Sequence, residues 1–268
     1  MTRQVKVLVL TGYGLNCDME TAHAFKMAGA APERVHINSL ITGDVRLEDY
    51  QILVFGGGFS WGDDHGAGVV QAVRIMTGLG DRIRHFIAEG NLVMGICNGF
   101  QTLVNTGLLP GFDGDYTRRE VALLHNDCGN FRDQWVDLSV NQESPCVFTK
   151  GMDFLPLPVR HGEGKFYAAP EVIHRLEVSG QVVLRYAGRD GSPAQGAFPL
   201  NPNGAVNDIA GICDPTGRVF GLMPHPEAFT HFTHHPDWTR LKAEGRILQE
   251  KDLPGLNIFR NAVAFFKK

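Results

Sequence analysis

"NLVMGICNGFQTL", residues 91–103, runs from an apolar stretch through a cysteine set between two glycines into a segment able to form a helix. The apolar start fits a strand covered on both faces, and Gly-x-Cys-x-Gly at its end has the form of a strand-to-helix elbow that presents sulfur as the nucleophile. Gly95 and Gly99 relieve the crowding of a turn that holds Cys97 in a strained conformation. The helix expected from residue 98 onward aims unpaired amides and a positive dipole end at the sulfur, favouring the thiolate. Cys97 is therefore a candidate nucleophile rather than a core cysteine.

The text upstream of this elbow alternates in the same way. "VKVLVL" (5–10) and "QILVFGGG" (51–58) read as buried strands, while "DMETAHAFKMAGA" (18–30) and residues 69–90 have helical spacing. Strands joined by helical crossovers imply a mostly parallel central sheet flanked by helices, an α/β fold. From about residue 120 the runs become short and turn-bounded, as in "WVDLSV" (135–140), "QVVLRYAG" (181–188) and "GRVFGLM" (217–223), which predicts additional antiparallel strands. "DWTRLKAEGRILQEKD" (237–252) and "LNIFRNAVAFFKK" (256–268) predict terminal helices. The expectation is a single domain over residues 1–268 with a C-terminal helical extension from about 229 to 268.

Composition narrows the classes of function. The chain has 268 residues, is 43% hydrophobic and 20% charged, and carries a formal net charge of -4 with no long basic run, which argues against a nucleic-acid partner. No stretch is apolar enough for a membrane span, and the N-terminal text does not fit a secretory signal, so a cytoplasmic location is expected. The five cysteines, Cys17, Cys97, Cys128, Cys146 and Cys213, have neither zinc-knuckle nor dense disulfide spacing, so reduced thiols and no metal site are expected.

A nucleophile needs a base and an orienting group. In "GLMPHPEA" (221–228) His225 precedes a proline and is biased toward extended backbone, so His225 and Glu227 are predicted to face one way at i and i+2. An imidazole held by a carboxylate is the arrangement of Cys/His/acid catalysis. "GGGFSWGDD" (56–64) follows a buried strand, and its glycine amides suit an oxyanion. It matches neither a dinucleotide fingerprint nor a Walker A loop.

With these residues in place, "GGGF", "GICNGFQ" and "MPHPE" resemble, in order, the class I or triad glutamine amidotransferases. "NCDMETAHAFKMAG", "GGFSWGDDHGAG", "NDCGNF", "RHGEGKF" and "NPNGAVNDIAGICDPTGRVFGLMPHPEA" make the text similar, over about residues 5–230, to the glutaminase (PurQ-type) subunits of phosphoribosylformylglycinamidine synthase. The resemblance implies a flavodoxin-like class I glutamine amidotransferase fold. It also implies Cys97 attack on glutamine with a γ-glutamyl thioester, His225 as acid/base and Glu227 as its support. Gly58 and Asn98 are implied as oxyanion donors, Gln101 as a substrate contact, and His161, Gly162, Glu163 and Gly164 as the holder of the amino-acid head group. No cofactor is implied in this chain; ATP and Mg would belong to a large PurL-type synthetase subunit, which with a small PurS-type subunit is the implied partner. Trp61 stands where that family usually has tyrosine and Ala228 where arginine commonly follows, and neither removes a catalytic group. His231, His234 and His235 lack ligand spacing and read as a solvated turn. The rivals are another hydrolase or amidotransferase on this fold, and a non-catalytic binding module, which has no reason to place cysteine on an elbow.

Overall fold

The computed structural model describes residues 4–267. Strand β1 (Lys6–Thr11), helix α1 (Asp18–Met27), β2 (Ala31–His36), α2 (Ile37–Thr42), β3 (Ile52–Phe55), α3 (Val69–Ala88), β4 (Leu92–Ile96) and α4 (Asn98–Asn105) alternate along the first part of the chain. Then follow β5 (Val121–His125), β6 (Arg132–Val140), β7 (Phe154–His161), β8 (Glu163–Ala168), α5 (Pro170–Val178), β9 (Val182–Ala187), β10 (Ile209–Cys213), β11 (Val219–Leu222), α6 (Trp238–Ala243) and α7 (Pro254–Phe265).

Nine strands form one sheet in the order β2-β1-β3-β4-β11-β10-β9-β6-β7, and β5 pairs with β8 in a separate ribbon. The first five strands in that order are mutually parallel, and the pairs from β11 outward through β10, β9, β6 and β7 are antiparallel. The mixed α/β sheet read from the sequence is thus present. Every residue of β3, β4 and β11 is buried, as expected of central strands covered on both faces.

This topology decides where loops meet. Phe55 pairs with Gly95, and Ile96 with Leu222, so the loops leaving β3, β4 and β11 emerge side by side at the carboxyl ends of adjacent parallel strands. The loop after β1 joins them because Leu10 pairs with Phe55.

Elements with weak periodicity escaped the sequence reading. β2 has the sequence "APERVH" with two exposed residues, and α5 ("PEVIHRLEV") buries only Ile173 and Leu176. One expectation is corrected. Residues 237–252 hold the six-residue α6 and a 3-10 turn at Glu250–Asp252 in place of one long helix, because Gly245 adopts a left-handed φ of 73° and ends α6. Helix α7 forms as expected and docks on α1, with Phe259 edge-on to Phe25 at 4.9 Å. Among the described residues no helix is long and apolar enough to cross a membrane.

Candidate active site

Cys97 lies between β4 and α4 at φ 51° and ψ -107°, a left-handed conformation unusual for a side chain with a Cβ. The flanking glycines permit it through close approach. A Cβ on Gly99 would stand 1.9 Å from the Phe55 carbonyl oxygen, and one on Gly95 would stand 2.7 Å from that of Gly99. The cysteine backbone is pinned at both ends, its N–H donating to Leu222 at 2.8 Å and its carbonyl accepting from Gln101 at 3.0 Å. The sulfur is 3.6 Å from the Arg160 carbonyl.

His225 and Glu227 are both buried, and the His225 Nδ1 lies 2.6 Å from Glu227 Oε1. The pair meets as expected but not through an extended strand. Pro226–Ala228 form a 3-10 turn, and His225 is anchored by its N–H to the Pro158 carbonyl at 2.8 Å. Burial opposes charge on the imidazole, yet the Glu227 carboxylate and the Cys97 sulfur outweigh it and raise His225 well above the ordinary histidine range. An imidazole so biased is suited to take the proton of a neighbouring thiol.

The Cys97 sulfur opens into a pocket of about 350 Å³ whose lining includes Gly58, Asp63, Gln101, Asn126, His161 and Glu163. That volume suits a small polar metabolite. Gly58 has φ 143° and bridges to Leu15. Asn98 and Gly99 sit in the first turn of α4, where amides lack intrahelical acceptors. The Asn98 side chain accepts from the Ser60 amide at 3.3 Å and donates to Asp63 at 2.9 Å and Gln101 at 3.1 Å. Gln101 donates to the Glu163 carbonyl.

The "HGEG" segment joins β7 to β8 against this pocket. His161 shares a 3.1 Å contact between Nδ1 and Asn126 Oδ1, and burial, aided by the charge of His225, pushes it down to about 3, so it is neutral. Gly164 is required beneath it, since a Cβ there would fall 2.4 Å from the imidazole. Glu163 accepts from the Ala67 amide at 3.2 Å, and half-exposed Gly162 lies on the pocket wall.

Three side chains that the sequence reading passed over belong to this neighbourhood. Asn126 bonds His161 and Gly164, and nothing in its local pattern signals that. Asp63 is pushed up to about 6, chiefly by burial with the Glu163 charge adding, in spite of the bond from Asn98. Cys17, grouped with the core thiols on spacing, sits beside His225, and burial raises its thiol above the usual range. The "NCD" text was its only signal. Elsewhere His235 is not simply solvated: its ring packs on Trp135 at 5.0 Å and on Phe229 at 5.9 Å, while His231 accepts from the Thr233 amide. Trp61 packs on Tyr13 at 5.2 Å, and Ala228 lies in the turn after Glu227.

Residues 4–266 match the CobB/CobQ-like glutamine amidotransferase domain family. The chain is 48% identical to the phosphoribosylformylglycinamidine synthase subunit PurQ of Methanococcus maripaludis, with 98% of each chain covered. It is 47% identical to the protein of the same name in Dehalococcoides mccartyi, with 99% of each covered. Among solved structures it is similar to a chain of PurLQS from Thermotoga maritima, at TM-score 0.71 and 29% identity over 98% of this chain and 99% of that one. A glutamine amidotransferase from Thermotoga maritima, at TM-score 0.53 and 14% identity over 98% of each chain, shares the fold.

Proposed function

This chain belongs to the CobB/CobQ-like glutamine amidotransferase family, and from that premise we propose that it is the glutaminase, PurQ-type, subunit of a phosphoribosylformylglycinamidine synthase. The observation that carries the reading is the strained Cys97 at the floor of a glutamine-sized pocket, beside an imidazole paired at 2.6 Å with a buried carboxylate.

In this reading Cys97 gives its proton to His225 and attacks the side-chain carboxamide carbon of glutamine. The amides of Gly58 and Asn98 meet the oxyanion, each such donor contributing about 2.7–4 kcal/mol to the barrier reduction. His225 then protonates the departing ammonia, leaving a γ-glutamyl thioester that water hydrolyses with His225 again as base. Glu227 holds the ring and offsets its charge. Gln101 and the His161–Gly164 segment position the amino-acid head group, with neutral His161 supplying a hydrogen bond rather than a charge.

Ammonia passes to a large PurL-type synthetase subunit, which with ATP and Mg converts formylglycinamide ribonucleotide to its amidine; a small PurS-type subunit completes the assembly in the cytoplasm. The test is mass spectrometry after exposure to a glutamine-mimicking electrophile. Exclusive modification of Cys97, blocked by glutamine, is expected, and labelling elsewhere or none would refute the assignment.

A further inference from the structure

The triad has a second thiol beside it, for which acyl transfer has no use. Cys17 Sγ, a His225 ring nitrogen and a Glu227 carboxylate oxygen all lie within 4.8 Å of one another. Thiolate, imidazole and carboxylate together form a donor set suited to zinc and unlike the all-oxygen sets of magnesium or calcium. We propose that Cys17, His225 and Glu227 form a binding site for a borderline-soft divalent cation, Zn²⁺, that silences the enzyme by occupying its base.

Two further features support the site. Glu227 Oε2 is buried without a hydrogen-bond partner, so the cluster holds a donor atom that nothing in the fold satisfies. An approach route also exists. A second pocket of about 840 Å³ reaches Glu227 without touching Cys97, and its walls include Glu20, His23, His231 and His234. Glu20 and the imidazoles offer a cation donor atoms on the way to the carboxylate, past Arg160, which lies on the same wall.

The geometry is within reach of coordination. Bonds of about 2.0–2.3 Å set tetrahedral ligands roughly 3.5 Å apart, so the widest separation closes by about 1 Å while the 2.6 Å imidazole–carboxylate contact opens. Cys17 loses its thiol proton to solvent as the Zn–S bond forms. Gly57 leaves the space in which this happens, since a Cβ there would lie 2.8 Å from the imidazole and 3.2 Å from the Cys17 sulfur. With zinc bound, the imidazole and carboxylate no longer serve Cys97, and glutamine cleavage stops.

The test reads binding with no substrate present, so it stands or falls apart from the assignment of glutamine. The full chain is titrated with Zn²⁺ against a chromogenic chelator as wild type, Cys97→Ala and Cys17→Ser. One zinc per chain is expected in the wild type, unchanged affinity in Cys97→Ala, and weakening by at least about tenfold in Cys17→Ser of unaltered Tm. In the Cys97→Ala protein, Co²⁺ should give a thiolate charge-transfer band and Zn²⁺ should shield Cys17 from maleimide, a readout that survives if Cys17→Ser fails to fold. Loss of zinc in Cys97→Ala, absence of that shielding, or equal affinity for Mg²⁺ would overturn the proposal.

Discussion

Adding one methyl group at Gly57 should damage catalysis while leaving the fold in place. Gly57 has no left-handed φ, so its backbone accepts alanine, but the new Cβ would lie 2.8 Å from His225 Cε1. Ordinary contact begins at 3.4 Å, so the ring must retreat by 3.4 − 2.8 = 0.6 Å. Cε1 lies between the two ring nitrogens, so the push displaces both the nitrogen bonded to Glu227 and the one that serves the sulfur. The ring has little freedom to escape, being buried, hydrogen-bonded to Glu227 and fixed through its backbone to Pro158. Misplacement by 1 Å costs about a hundredfold in rate, so a shift of this size should cost roughly ten- to a hundredfold in thioester formation. Overpacking costs about 1–3 kcal/mol against a usual stability of about 5–15 kcal/mol, so Gly57→Ala should remain folded with a lowered Tm. Single-turnover thioester formation, quantified by mass spectrometry, measures the effect. A folded Gly57→Ala protein with the wild-type rate would refute the placement of the imidazole against this turn.

Cys97→Ala should abolish glutamine-dependent amidine formation in the reconstituted complex yet leave the ammonia-dependent reaction, and loss of both in an assembled complex would contradict the division of labour. Glu227→Gln should retain more activity than His225→Ala, because an amide oxygen still accepts from Nδ1 while nothing replaces the proton carrier; equal losses in single turnovers would count against these roles. Asp63→Asn should change stability in a pH-dependent manner. An acid raised from 3.8 to about 6 binds its proton more tightly when folded, so its stabilising effect is present at low pH and is lost as pH rises toward 6. The variant, which suits the left-handed backbone at φ 55°, should therefore match wild-type Tm below about pH 4 and exceed it above about pH 6. Melting curves across that range check the sign, and a lower Tm for the variant at pH 7 would refute it.

Much of this protein follows from its local text. The period of the apolar runs predicts the parallel half of the sheet because strands buried on both faces leave an unbroken hydrophobic signature, as in β1, β3 and β4. Gly95, Cys97 and Gly99 announce the elbow because a side chain at φ 51° needs neighbours without Cβ atoms where helix and strand press together. His225 and Glu227 are legible because they are two residues apart, and the short range fixes their meeting even though the connecting turn proves to be 3-10 rather than extended. What the sequence could not determine is set by strand order. Cys97 and His225 become neighbours because β11 inserts beside β4 with Leu222 opposite Ile96, a pairing between distant segments that no window of residues encodes. The same nonlocal packing turns Cys17 from one of four unremarkable thiols into the companion of the imidazole, draws Asn126 under His161, and buries Asp63 near Glu163. Periodicity reports which face of a segment is buried; which segment lies against it is decided by the whole sheet, and the chemistry of this site depends on that second choice.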